Sequence, residues 1–150
     1  MAELRERPYS QFNFLVDLGT GDANSVQAGF QEVSGLGMEI TVAEYRNGNE
    51  RDNAPRKITG MYKVPDVTLK RGLIGALDLY AWLNDVRNGS QEALRNVTIQ
   101  LLSEDRTTVA MEWKLTNARI TKYTGPSLNG KGTDVAVEEV TLACERIDLA

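Results

Sequence analysis

Apolar and polar residues alternate along most of the chain, with the two-residue period of β-strands that bury one face. The alternating runs are 11–18, 26–30, 38–43, 67–70, 97–101, 109–115, 118–123 and 134–146. In the last run the apolar positions change parity, and a β-bulge at Glu138–Glu139 would return them to one face. The pattern therefore predicts about eight strands.

Two hairpins are predicted from the residues between these runs. Glu104–Asp105–Arg106 has turn chemistry and separates runs 97–101 and 109–115. Runs 26–30 and 38–43 surround a Gly35-Leu36-Gly37 interruption, which favours a second hairpin over residues 26–46. In that hairpin the apolar set of Met38, Ile40 and Val42 is expected to face the core.

One segment has helical spacing instead. Leu73, Leu77, Tyr80 and Leu83 are four, three and three residues apart, which is typical of the apolar stripe of an amphipathic helix. Asn88-Gly89 is a helix-ending pair. Many strands and one helix in 150 residues, of which 41% are hydrophobic, predict a single domain. The expected fold is mainly β: an antiparallel barrel, closed or nearly closed, or a sandwich, with one flanking helix.

A polar segment interrupts the pattern between residues 47 and 57. Residues 47–55 read NGNERDNAP and contain almost no apolar side chain that could pack in a monomer. The sequence predicts a long, exposed and mobile loop there.

Composition excludes several kinds of chemistry. The chain has no histidine, which rules out Ser-His-Asp, Cys-His and His-zinc sites. Its single cysteine, Cys144, can form neither an internal disulfide nor a metal cluster. With 17 Lys and Arg against 21 Asp and Glu, the net charge of −4 argues against non-specific nucleic-acid binding. No catalytic residue, metal site or cofactor is predicted.

Some motifs suggest a functional site but are better explained by a structural role. Gly125 and Gly130-Lys131 match the start of a phosphate-binding loop, but Gly132 replaces the metal-binding hydroxyl and a strand follows, so an ordinary turn is favoured. Glu138 and Glu139 are neighbours on a strand and point to opposite faces, which favours structural roles. Asp78 is expected to face water.

The first ten residues carry four charges and no apolar stretch, so no secretory signal is expected. Neither that segment nor any other predicts a membrane span. We therefore expect synthesis in the cytoplasm. The residues alone predict a β-domain whose exposed strand edges favour self-association.

Six segments together resemble the inner tube proteins of contractile phage tails and of phage-derived contractile injection systems. Their order and spacing extend over nearly the whole chain. The segments are PYSQFNFLVDL, FQEVSGL, AEYRNG, VTLKRG, LYAWLND and LNGKGTDVAVEEVTL.

The resemblance implies a structural protein without catalytic activity. It implies hexameric rings that join through β-strands and stack into a hollow tube inside a sheath, with baseplate and tube-terminating proteins at the ends. The lumen would carry DNA or protein cargo, and the assembled particle would be a phage tail or an injection system. Stable binding of the subunit to nucleic acid or membranes is not expected.

Two sets of residues receive roles by the same resemblance. Glu39, Thr41 and Ala43 share one strand face and are expected to line the lumen. The loop is expected to contact neighbouring subunits through Arg46, Asn49, Glu50, Arg51, Asp52 and Arg56. Two alternatives remain from the residues: a monomeric barrel that binds a small ligand, and a nucleotide-dependent enzyme that uses Gly130-Lys131.

Overall fold

The computed structural model describes residues 2–21 and 28–150, and it shows a mainly antiparallel β-structure in this part of the chain. The strands are β1 Phe14–Asp17, β2 Glu32–Ser34, β3 Glu39–Tyr45, β4 Arg56–Lys63, β5 Val67–Gly72, β6 Arg95–Leu102, β7 Val109–Thr124, β8 Val137–Ala143 and β9 Arg146–Leu149. One α-helix, α1, spans Asp78–Arg87, and a short 3₁₀ helix spans Gln91–Ala93. The predicted fold class is confirmed.

A seven-stranded sheet forms the body of the molecule. Its hydrogen-bonded order is β1-β6-β7-β8-β5-β2, and β9 pairs with residues 113–116 of β7. The first half of β7 pairs with β6 and β9, whereas its second half pairs with β8. Asn117, with φ of 53°, lies where the partners change. The described strands do not close into a barrel, because β1 and β2 stay unpaired on their outer edges.

The core lies between the two halves of this folded sheet and under the helix. Val16, Val97, Ile99 and Leu115 come from one half, and Val67, Leu69, Ile120, Val140 and Leu142 come from the other. The helix contributes Leu79 and Trp82, and the Trp82 indole donates a 2.6 Å hydrogen bond to the carbonyl of Ala93. Each of these side chains is almost fully buried.

The helix exists where the spacing predicts one, but its buried face is different. Leu79 and Trp82 point into the core, whereas Leu73, Leu77 and Tyr80 of the predicted stripe are exposed. The helix also begins only at Asp78, so Leu73 precedes it. The predicted end is confirmed: Asn88 caps the helix, and Gly89 adopts a φ of 79°.

The predicted hairpin of residues 26–46 is wrong. Its first residues, 26 and 27, lie outside the described part of the chain, and β2 pairs with β5. Strand β3 pairs with β4, a strand that the sequence pattern did not predict. Gly35 lies where the chain leaves the sheet: its φ is 86°, and a Cβ there would lie 2.2 Å from the carbonyl oxygen of Asp66. Only glycine fits this exit point.

The other predicted hairpin is confirmed. Strands β6 and β7 pair antiparallel around the Glu104–Arg106 turn, where Asp105 accepts hydrogen bonds from the backbone of Thr107 and Thr108. The predicted strand 118–123 is the second half of β7. The bulge expected at Glu138–Glu139 is not there, and β8 pairs regularly with β5. Glu138 takes the inward position before Val140 and Leu142, whereas Val137 is on the other face and Val135 precedes the strand.

Candidate assembly surfaces

Strands β3 and β4 form a two-stranded sheet that stands apart from the body of the molecule. We call residues 39–63 the projecting hairpin. None of its residues is buried in the protomer, and Gly60 lies under the Thr41 side chain, where a Cβ would come within 2.8 Å of the hydroxyl. A two-stranded hairpin without a packed face is marginally stable in water.

The apolar side chains of the projecting hairpin are exposed. The expectation that Met38, Ile40 and Val42 face the core of the protomer is wrong, because Ile40 is 56% exposed and the other two are similar. Ile40 lies opposite Tyr62 in the register, and Val42 is two residues further along β3, so these three side chains share a face. Met61 is 85% exposed. Such a set of exposed apolar side chains is typical of a surface that binds another protein.

Glu39, Thr41 and Ala43 lie on the opposite face of β3, as the alternation predicts. Glu39 and Ala43 are exposed, whereas Thr41 is half-buried, and its hydroxyl donates a 2.8 Å hydrogen bond to the carbonyl of Met61. All three side chains lie outside the core. Their position in a lumen remains a prediction.

The loop at the tip of the projecting hairpin is exposed, as predicted, and is shorter, because Arg56 and Lys57 already belong to β4. Arg46 donates hydrogen bonds of 2.9 Å to the carbonyls of Glu50 and Asp52. The Arg56 guanidinium lies 3.3 Å from the Glu50 carboxylate. Polar contacts between its own residues therefore stabilise the conformation of the loop. The lack of apolar residues in the sequence gave no indication of these contacts. The side chains of Asn49 and Arg51 are exposed.

A buried ionic cluster connects the helix to the sheet. Arg71 is 1% exposed, and its guanidinium lies 2.6 Å from a Glu138 oxygen and 2.9 Å from an Asp78 oxygen. The Tyr123 hydroxyl donates a 2.7 Å hydrogen bond to the other oxygen of Glu138. We expected Asp78 to face water, but its carboxylate instead forms an ion pair with Arg71. Glu138 has a structural role, as predicted, but with a partner that the sequence pattern did not reveal.

The cluster keeps its charges because they are paired. Burial opposes the charge on Arg71, but the hydrogen bonds with Asp78 and Glu138 outweigh it and raise the pKa of Arg71 above its ordinary value. The hydrogen bond to Glu138, together with burial, raises the pKa of Tyr123. An arginine at a core position of β5 can be recognised from sequence only if its acidic partners are known.

The remaining motifs do not form a chemical site. Gly125, Gly130 and Lys131 lie in an irregular segment between β7 and β8, and Asn129 closes a turn with the backbone of Lys131 and Gly132. The preference for an ordinary turn is confirmed. Within residues 2–21 and 28–150, no group of three or more metal-binding side chains lies together. No helix in this part of the chain is long and apolar enough to cross a membrane.

An open cleft of about 700 Å³ lies between the two free edges of the sheet. Phe12 and Phe14 approach it from the β1 side, and Val33 and Leu36 approach it from the β2 side. A ligand-binding barrel would enclose its pocket, whereas this cleft opens to solvent along the unpaired edges. The cleft is therefore part of an incomplete strand arrangement.

Comparison with known proteins identifies the family of the chain. The model of the family described as "T4-like virus tail tube protein gp19" matches residues 10–148. No curated protein sequence matched the chain in the corresponding comparison.

Solved structures give a similar result. The chain superimposes on a protein of the PVC sheath-tube complex, an extracellular contractile injection system, with a TM-score of 0.83 and 30% identity. That match covers 97% of this chain and 93% of the other. A protein of the anti-feeding prophage tube-terminating cap gives 0.84 and 27%, over 100% and 95% of the chains.

A more distant likeness concerns the fold alone. Hcp1 from Flavobacterium johnsoniae has a TM-score of 0.58 and 14% identity, over 93% of this chain and 95% of that one. The family match extends over both the folded sheet and the projecting hairpin. The chain therefore belongs to the T4 gp19-like tail tube protein family and is a structural tube subunit of the kind found in phage tails and contractile injection systems.

Proposed function

We propose that the chain forms hexameric rings that stack into the hollow inner tube of a contractile injection particle. The projecting hairpin carries this proposal, because its apolar side chains are exposed and no part of the chain that the structure describes covers them. A neighbouring copy would bury them and offset the loss of conformational freedom that assembly requires.

Ring closure uses the free edges of the main sheet. Strands β1 and β2 each leave one side without a hydrogen-bonded neighbour among the described strands. Pairing or packing of these edges with adjacent subunits would satisfy their backbone groups and continue the sheet around a ring. Six such contacts around one axis give a closed assembly with no edge left open.

The lumen and loop residues follow from this arrangement. Glu39, Thr41 and Ala43 face the channel, opposite the apolar side of β3. The tip loop contacts other subunits through its polar side chains, which are Arg46, Asn49, Glu50, Arg51, Asp52 and Arg56. Tyr45 and Ile58 share the Ala43 face of the hairpin, so the proposed channel wall combines polar and apolar side chains.

The tube works mechanically, without catalytic activity or a cofactor. Contraction of a surrounding sheath pushes the assembled tube through a target envelope, and the tube guides cargo through its lumen. The similarity to the tube of an extracellular injection system at 30% identity favours such a particle and protein cargo over a phage tail and DNA. The subunit is made in the cytoplasm and joins sheath, baseplate and terminating proteins in the particle.

Native mass spectrometry of the purified chain over a range of concentrations tests this proposal. We expect a species with the mass of six subunits, and higher species in multiples of six. A monomer at every concentration and salt condition would contradict it, as would a predominant dimer.

A further inference from the structure

The dipeptide Asn-Gly occurs three times in the chain, at Asn47-Gly48, Asn88-Gly89 and Asn129-Gly130. In each pair the backbone nitrogen of the glycine can attack the amide carbon of the asparagine and form a cyclic imide. Glycine favours this attack because it has no side chain that would shield its nitrogen. The fold holds the three pairs in different conformations, so their reactivity should differ.

Asn129-Gly130 lies in an exposed turn between β7 and β8. The Lys131 N–H donates a 3.0 Å hydrogen bond to Oδ1 of Asn129, and the Gly132 N–H donates one of 2.9 Å to the Asn129 carbonyl. The first bond closes a ring that contains the Asn129 amide carbon and the Gly130 nitrogen. The two reacting atoms are therefore held close together, which favours their reaction.

The surroundings of Gly130 also favour attack. In the part of the chain that the structure describes, its N–H has no hydrogen-bond partner, so the nitrogen is available. A Cβ at Gly130 would meet no atom within 4 Å, so water and hydroxide can reach the peptide. The Lys131 N–H can stabilise the oxyanion that forms on Oδ1 of Asn129 during the attack.

The other two pairs are held in conformations that oppose the reaction. At the helix end, the Gly89 N–H donates a 3.1 Å hydrogen bond to the Val86 carbonyl, which occupies the attacking nitrogen. In the tip loop, Oδ1 of Asn47 accepts a hydrogen bond from the Tyr45 hydroxyl, and Nδ2 donates one of 3.2 Å to Glu50. The amide must break both bonds to turn toward the next nitrogen, and the carboxylate opposes a negative intermediate.

We propose that Asn129 is a site of spontaneous deamidation, at which the subunit modifies itself with water as the co-reactant. The Gly130 nitrogen loses its proton to hydroxide and bonds to the amide carbon, while the amide nitrogen takes a proton from water and leaves as ammonia. Water then opens the cyclic imide at either carbonyl, which gives aspartate or isoaspartate. The net reaction consumes one water, releases ammonium and leaves a carboxylate.

The modification changes the segment that leads into β8. Lys131 is the only charged residue among residues 125–133, so the new carboxylate neutralises this turn. The isoaspartate form also adds one carbon to the main chain ahead of β8. The inference goes beyond the proposed tube, because the reaction needs only the folded subunit.

Peptide mass spectrometry of the purified full chain, aged at mildly alkaline pH and then digested with pepsin at low pH, tests the proposal. In the folded chain, Asn129 should convert at least about tenfold faster than Asn47 and Asn88, a difference of ~1.4 kcal/mol in activation free energy. Two products of equal mass, aspartate and isoaspartate, should appear. In urea the three pairs should react at similar rates, because each is then an unfolded Asn-Gly.

Gly130→Ala is the matched variant. The added Cβ has open space and the backbone there is outside the left-handed region, so the melting temperature should stay the same. Conversion of Asn129 should slow by about tenfold or more, because the methyl group shields the nitrogen.

Three results would overturn the proposal. Equal rates at the three pairs in the folded chain would show that the turn does not favour the reaction. A faster reaction at Asn47 or Asn88 would assign the site to another pair. Aspartate without isoaspartate would show direct hydrolysis of the amide and exclude the route through the Gly130 nitrogen.

Discussion

At the scale of single residues, the buried Arg71 cluster holds the helix on the sheet. Arg71 occupies a core position of β5 between Glu138 of β8 and Asp78 of α1. The alternating run 67–70 predicted this strand, but it ended before Arg71 and could not reveal an inward-facing arginine paired with two acids. That information depends on strands β5 and β8 being neighbours, which alternation does not specify.

Removing Arg71 should be far more costly than removing a surface arginine. Arg71→Met leaves the buried Glu138 carboxylate with the Tyr123 hydroxyl but without its cationic partner, and we expect a loss of about 3–5 kcal/mol of unfolding free energy. Adding Glu138→Leu should recover part of it. Arg146→Met, which breaks the exposed pair with Asp148, should cost less than about 1 kcal/mol. Urea denaturation measures both, and equal losses would contradict a structural role for the cluster.

A substitution at Ile40 can distinguish an effect on the stability of the protomer from an effect on its assembly. Because Ile40 is exposed in the protomer, Ile40→Asp should leave the melting temperature nearly unchanged and should prevent tube formation. Thr41→Gln, on the other face of the same strand, should fold and assemble. Thermal melts with electron microscopy of both variants measure the two effects. Unfolding of Ile40→Asp, or normal tubes from it, would contradict the assignment of this face.

The Arg5–Glu104 pair gives a prediction about pH. A hydrogen bond from Arg5 is the main reason that the pKa of Glu104 is lowered from 4.5 to about 2. Because the pKa of Glu104 is lower in the folded chain than in the unfolded chain, its ionised carboxylate stabilises the fold at pH values above about 4.5. This stabilisation is lost as the pH falls from about 4.5 to 2. The stability difference between the parent and Glu104→Gln should therefore shrink over that interval. A difference that stays constant from pH 6 to pH 2 would contradict the pairing.

At the scale of elements, the sequence predicted β6, β7, their turn and the end of the helix, because these depend on local alternation and turn chemistry. It failed at the projecting hairpin. The pattern assumes that apolar faces turn toward the core of the same chain, whereas Ile40 and Val42 remain outside it. The buried helix face was predicted wrongly for a similar reason, because Leu73 and Leu77 are apolar but exposed.

Shortening the tip loop tests the role of the hairpin as an element. Replacement of residues 48–53 by Gly-Gly removes Glu50 and Asp52 and their contacts with Arg46 and Arg56, but it leaves the core unchanged. We expect a nearly unchanged melting temperature and reduced stacking of rings. Limited proteolysis of the parent should cut the loop in the monomer and spare it in the tube. Equal protection in both states would contradict an inter-subunit role.

At the scale of the whole molecule, the protomer is an incomplete structure. Among the residues that the structure describes, the sheet has two unpaired outer edges and the hairpin leaves its apolar side chains exposed. The fold class could be predicted from the sequence, because many short alternating runs and one helix leave few architectures. The exposed apolar side chains of the hairpin could not, because the alternation pattern assumes that each apolar face packs within its own chain.

A cryo-EM reconstruction of particles assembled from the purified full chain tests the central claim most directly. We predict a hollow tube of six-fold rings, in which Ile40 and Val42 are buried between subunits and the free edges of β1 and β2 meet neighbouring copies. An assembly in which the projecting hairpin remains in solvent, or a preparation that contains only monomers, would contradict the account.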